Sequence, residues 1–147
     1  MTISVIIEKV MDTIKVVCGI IFDNEKVFIC RRRQGKSLAG YWEFPGGKIE
    51  GSESFEQALK RELHEELEME VVIKDFIGQS KYNYDKFQIE LFGYESQLIN
   101  YNGKLTDHDS YEWIDISKLN EYNLAPADIP LIAMIIDKKR TTAPKPH

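Results

Sequence analysis

The chain has 147 residues, 43% of them hydrophobic and 29% charged, which suits one domain with a buried core. A net charge of −5 argues against a protein that coats nucleic acid, because such domains carry a basic surface. It leaves phosphate ligands open, since metal ions can supply positive charge locally.

The opening MTISVIIEKV is too short and too charged to span a bilayer, and no leader pattern is visible, so a cytoplasmic protein without membrane partners is expected. Residues 14–22, IKVVCGIIF, are rich in β-branched side chains, and KVFICRRR after a polar turn at Asp23-Asn24-Glu25 alternates; 14–33 reads as a hairpin. Cys18 and Cys30 sit in these strands outside any CxxC pattern and read as buried reduced thiols. QGKSLAGY, residues 34–41, reads as a loop, and WEFPGGKIEGSES as an extended, Gly-rich stretch. Residues 54–67 turn helical. Two long strands follow, 71–84 and 86–99, then a polar loop over 100–110 and a short strand, YEWIDI. ISKLNEY reads as a helical turn, and IPLIAMIIDKK as a last helix with Asp128 before it and basic residues at its end. The tail TTAPKPH, residues 141–147, is expected to fray. The order of elements predicts a single mixed α/β domain over 1–147 with a sheet between helices.

Eight glutamates crowd residues 46–70. On a wheel of about 100° per residue, Phe55, Ala58, Leu59, Leu63 and Leu67 mark the core-facing arc. Glu62 and Glu66 fall within that arc and Glu65 at its edge. Buried carboxylates without partners are costly. Arg61 can neutralise one, and a divalent cation the rest; oxygen-only ligands suit Mg²⁺ or Mn²⁺. The bland alternative is a solvated charged helix with pairs four residues apart. Gly46 and Gly47 just before the helix permit close approach of other groups to the backbone.

Gly47, five residues, Glu53, seven residues, then Arg61-Glu62-Leu63-His64-Glu65-Glu66 resembles the Nudix box, G-x5-E-x7-R-E-U-x-E-E-x-G-U, where U is bulky and apolar. Such a set of fixed residues coincides by chance in fewer than about one window in a million. Glu68 departs from the pattern, standing where the family has a glycine that would end the helix in a left-handed turn. WEFPGGKIE, FICRRR and NLAPADIPLI resemble the MutT branch, and the similarity covers roughly residues 15–138, with 1–13 as an extension outside it. The resemblance implies the α/β/α Nudix sandwich with a mixed sheet between helices. It also implies Mg²⁺-dependent hydrolysis of a nucleoside triphosphate to nucleoside monophosphate and pyrophosphate. A monomer or homodimer is expected, since the long strands over 70–98 could pair across subunits but need not.

By motif, the Gly46 carbonyl, Glu62, Glu65 and Glu66 are the expected metal ligands. Arg61 is expected to orient a glutamate, and Glu53 to hold Arg61, to assist proton transfer, or to serve the helix dipole. The general base is open among Asp107, Glu62 and Glu53. His108 is a further candidate, although a lone loop histidine is usually solvated. Arg32 matches an arginine that contacts nucleotide, and Phe44 a residue near the base. Tyr82 and Tyr84 could stack on a base or pack in the rim. Asp128 is expected either to cap the last helix or to read the base edge. An ionised carboxylate only accepts hydrogen bonds, which suits the amino group of cytosine or the N–H groups of guanine. The resemblance therefore points to cleansing of 8-oxo-dGTP, with a CTP or 5-methyl-dCTP pyrophosphatase as the alternative. A non-catalytic nucleotide sensor is the alternative of another class.

Overall fold

The structure, a computed structural model, describes residues 12–142. In chain order its elements are β1 (Asp12–Asp23), β2 (Lys26–Arg32), β3 (Trp42–Glu43), β4 (Gly46–Lys48), α1 (Phe55–Leu67), β5 (Glu70–Asn83), β6 (Phe87–Asn100), β7 (His108–Asp115), a 3-10 turn (Ile116–Glu121) and α2 (Ile129–Thr142). Residues 12 and 13 belong to β1, so the strand starts before the expected position 14. The rest of the expected N-terminal extension, residues 1–11, and the tail residues 143–147 lie outside the described residues.

Alternation along β1 sets the centre of the molecule. Val17 and Ile21 turn to one face, Cys18, Ile20 and Phe22 to the other, and all are buried, as a strand's period of two requires. β1 and β2 join through Asn24 and Glu25, at φ 51° and 72°, a turn whose twist suits a hairpin. Their pairing is confined to the closing end, Phe22↔Val27 and Asp23↔Lys26. Earlier in β1, Val16, Val17 and Cys18 pair instead with β4, and the other edge of β1 runs parallel to β6. β5 pairs antiparallel with β6, while β3 and β7 flank β2, giving one mixed sheet of seven strands. Helix α1 covers one face through Ala58, Leu59, Leu63 and Leu67. Helix α2 and the 3-10 turn cover the other through Leu131, Ile132, Ile135 and Leu119. The α/β/α sandwich expected from the sequence is present.

The ends of α1 follow local chemistry. Ser54 caps its start: the hydroxyl accepts from the Gln57 N–H at 3.1 Å, and the Gln57 side chain accepts from the Ser54 N–H at 2.9 Å, a reciprocal box. At its end Glu68 adopts φ 49° and ψ 37°, the left-handed conformation a glycine would take. Its N–H reaches the His64 carbonyl and the Met69 N–H that of Leu63, so the helix terminates as the family pattern would have it. The carboxylate of Glu68 pairs with Lys104 at 2.7 Å.

β7 begins at His108, three residues earlier than expected. The segment His108-Asp109-Ser110 has no apolar alternation to signal a strand, yet it pairs with β2, and Asp109 accepts from Arg31 Nε at 2.7 Å. No helix among the described residues is long and apolar enough to cross a membrane.

Candidate active site

Helix α1 lies against β4 and presents carboxylates to it. Glu62 is half-buried, with its carboxylate against Gly47: a Cβ on Gly47 would stand 2.7 Å from Glu62 Oε1. Glycine at 47 is therefore what admits the carboxylate. Gly46 is closed in from the other side, where a Cβ would run into the Val17 carbonyl and come within 2.7 Å of Cys18 Cα.

Arg61 ties this region together. Its Nε and one terminal nitrogen donate to the two oxygens of Glu53 at 2.7 and 2.9 Å, a two-pronged charge-assisted pair. The other terminal nitrogen donates to Glu62 Oε1 at 3.0 Å and Glu65 Oε2 at 3.2 Å, while the terminal nitrogen that serves Glu53 also donates to the Lys48 carbonyl at 3.0 Å. Glu53 also accepts from the Glu50 N–H at 2.9 Å. The Arg61 hydrogen bonds hold the Glu53 carboxyl below its ordinary range. With both oxygens engaged, Glu53 anchors Arg61. Glu65 departs from expectation: its side chain is 57% exposed and turns to solvent, whereas Glu62 and Glu66 face inward. Arg61 reaches it across one helical turn.

Glu66 meets Asp107 from the loop before β7. Burial, and next the hydrogen bond with Asp107, push the Glu66 carboxyl up to about 9. Asp107 resists the upward pull of its own burial because hydrogen bonds with Glu66 and Lys36 hold it below its ordinary value; Lys36 Nζ stands 3.3 Å away. The two shifts run in opposite directions, so a proton sits more readily on Glu66 than on Asp107. Burial also raises Glu62, against the pull of Arg61.

On the opposite face of the sheet is a cavity of about 830 Å³. Phe44, Asp128, Tyr82, Tyr84 and Ile89 line it, together with Gly46 and Lys48 of β4, the strand against which α1 packs. One strand therefore borders both the cavity and the carboxylates. Asp128 is buried, and its Oδ2 accepts from the Phe44 N–H at 2.8 Å. Its backbone carbonyl accepts from the Leu131 N–H at 3.0 Å at the start of α2. Burial, and then the charge of Glu43, push its carboxyl well above the usual range. The stretch carrying Asp128 is fastened to β5 and the turn after it: the Ser80 hydroxyl donates to the Ala127 carbonyl, and the Tyr84 phenol meets the Ala127 backbone. Tyr82 and Tyr84 lie against each other with ring centres 4.8 Å apart.

Arg32 does not line the cavity. Its Nε donates to the Ser37 carbonyl at 3.0 Å and its guanidinium lies 3.6 Å from Glu43 Oε2, and both partners are cavity-lining residues. His108 is not the solvated loop residue that its surroundings in sequence suggest. It is buried, with Nε2 2.8 Å from Glu43 Oε2. Glu43 is the residue that sequence reasoning missed. It contacts Arg32 and His108 and lines the cavity. The available signal was a charged residue between Trp42 and Phe44 in a strand leading into Pro45 and two glycines.

A family model described as the NUDIX domain matches residues 16–134. The chain is 36% identical over 124 residues to a CTP pyrophosphohydrolase of Escherichia coli, covering 83% of this chain and 90% of that one. It is 32% identical over 110 residues to an 8-oxo-dGTP diphosphatase of Buchnera aphidicola, covering 74% and 82%. Among solved structures, a MutT protein of the Nudix hydrolase family from Staphylococcus aureus superposes with a TM-score of 0.71 at 37% identity, covering 87% of this chain and 98% of that one.

Proposed function

The chain belongs to the NUDIX domain family, and on that premise we propose that it hydrolyses nucleoside triphosphates to nucleoside monophosphate and pyrophosphate. The observation that carries this reading is β4, which borders a cavity of nucleoside size on one side and the inward-facing carboxylates of α1 on the other. A base held between Phe44 and Asp128 would direct its phosphates along Gly46–Lys48 toward Glu62 and Glu66.

Glu62, Glu65, Glu66 and the Gly46 carbonyl would hold Mg²⁺ or Mn²⁺. The fit rests on an all-oxygen donor set, on Arg61 as the cation shared by the inward-facing Glu62 and the exposed Glu65, and on the cradle at Gly47 that a Cβ would fill. When bound, such an ion offsets polyphosphate charge and lowers the pKa of an attacking water. Arg61, anchored by Glu53, orients Glu62. Both oxygens of Glu53 are engaged, which leaves it poorly placed to take a proton. Asp107, which meets Glu66 from the loop before β7, serves as general base: it takes the proton of a water whose oxygen attacks the β-phosphorus. The α–β bridging oxygen then leaves with the monophosphate.

Asp128 sets the base preference. One of its oxygens is spent on the Phe44 N–H, leaving the other for the base edge. Ionised, it accepts from the amino group of cytosine or the N1–H and N2–H of an oxidised guanine; protonated, the form that its burial favours, it can also donate to a base acceptor. 8-oxo-dGTP and the cytidine nucleotides CTP and 5-methyl-dCTP are accordingly the two substrate readings, matching the names of the two sequence relatives. The test is pyrophosphate release with Mg²⁺ across a panel of ribo- and deoxynucleoside triphosphates that includes oxidised and methylated bases. Turnover of one base class, with its preference ratio shifted in Asp128→Asn, supports the reading. Binding without turnover of any triphosphate would reject it in favour of a nucleotide sensor.

A further inference from the structure

Outside the carboxylates of α1, a second group of potential ligands comes together. The Cys30 sulfur, a Glu43 carboxylate oxygen and a His108 ring nitrogen lie within 4.8 Å of one another. They come from β2, β3 and β7. Cys30 stands opposite Glu43 in the β2–β3 register. On the other side of β2, the register shifts between Arg31 and Arg32 so that Arg32 faces His108. Such a bulge re-aims side chains, and His108 is 3% exposed.

The ring of His108 supplies an independent observation. Nε2 meets Glu43 at 2.8 Å, and Nδ1, on the other side of the ring, is buried without a hydrogen-bond partner among the described residues. Unpartnered buried nitrogens are costly and call for an explanation such as a bound ion. Cys30 is fully buried, and its sulfur donates to the Glu43 carbonyl at 3.7 Å.

We propose that Cys30, Glu43 and His108 form a binding site for a thiophilic divalent cation of the Zn²⁺ class. Sulfur, imidazole and carboxylate are the donors that zinc takes with tetrahedral geometry, and a thiolate selects against Mg²⁺. Three protein ligands leave a fourth position open. Glu43 lines the nucleotide cavity, so the ion would sit in its wall. There it would compete with Arg32 for the Glu43 carboxylate, now 3.6 Å from that guanidinium, and weaken nucleotide binding. The site uses none of the proposed Mg²⁺ ligands, so it stands or falls apart from the triphosphate reading.

The probe is Co²⁺ added to the full-length, reduced protein in excess Mg²⁺, without nucleotide. Thiolate ligation gives a sulfur-to-cobalt charge-transfer band in the near ultraviolet. One equivalent of Co²⁺ should develop this band in the wild type, and Zn²⁺ should displace it. Cys30→Ser should abolish the band, and His108→Gln should weaken Co²⁺ binding at least about tenfold, while Glu62→Gln leaves it unchanged. Absence of the band in the folded wild type, or its persistence in Cys30→Ser, overturns the proposal. If Cys30→Ser does not fold, as read by circular dichroism, His108→Gln decides: unchanged Co²⁺ affinity there overturns it equally.

Discussion

Replacing Gly47 by alanine separates folding from catalysis. The new Cβ would lie 2.7 Å from Glu62 Oε1 and closer still to the rest of that carboxylate, so one of them must move. The backbone has no reason to, because the obstacle is the far end of a flexible side chain. Glu62 can swing away by giving up its hydrogen bond with Arg61, 3.0 Å long. A charge-assisted bond of this kind contributes about 1.5–3 kcal/mol, part of which returns when the freed carboxylate meets water. The stability cost should therefore stay below about 2 kcal/mol. Displacing a proposed metal ligand by about an ångström is far more damaging to turnover, about a hundredfold, or about 2.7 kcal/mol of barrier. Gly46→Ala is the contrast. Its Cβ meets the Val17 carbonyl and the Cys18 Cα, both backbone atoms of the central strand, so β4 must detach from β1 and stability should fall first. The assays are urea denaturation of both variants and pyrophosphate release at saturating Mg²⁺. Gly47→Ala turning over at near wild-type rate, or unfolding as readily as Gly46→Ala, would refute the reasoning.

Glu66→Gln should lower kcat at least about a hundredfold if this carboxylate holds the catalytic metal, with the melting temperature kept or raised; steady-state kinetics and thermal denaturation check both. Arg61→Lys loses the two-pronged grip on Glu53, so kcat should drop about tenfold or more while KM changes little. Leu63, 1% exposed in the core beneath α1, should cost about 2–5 kcal/mol as alanine, measured by urea denaturation.

Local rules carried the sequence reading a long way because the decisive features of α1 are local. Its apolar arc predicts Phe55, Ala58, Leu59, Leu63 and Leu67 in the core; the last four are buried, and Phe55 is half-buried against them. The wheel also places Glu62 and Glu66 inward. It fails at Glu65, which sits at the edge of the arc: a wheel gives direction around the axis but not how far the neighbouring strand extends over it. What stayed hidden depends on partners distant in sequence. Asp128 bonds the Phe44 N–H across 84 positions, and nothing in either segment distinguishes that contact from a helix cap. His108 turns inward at a bulge in the β2–β7 pairing, and the pairing itself is invisible before the sheet is assembled.

Glu68 shows the two levels meeting at one residue. By local rules the left-handed helix end demands glycine, since a side chain there crowds the backbone, and a glutamate would be read as moving the helix end. The end has not moved: φ is 49° and the terminal hydrogen bonds are in place. A side chain 36 positions away, Lys104, pairs with the Glu68 carboxylate and lowers its pKa, a contact that glycine could not make. The departure from the family pattern therefore falls on a position where a distant charge offsets a local conformational cost. The carboxylates two, three and six residues earlier, which would bind the metal, are left in the register that the box requires.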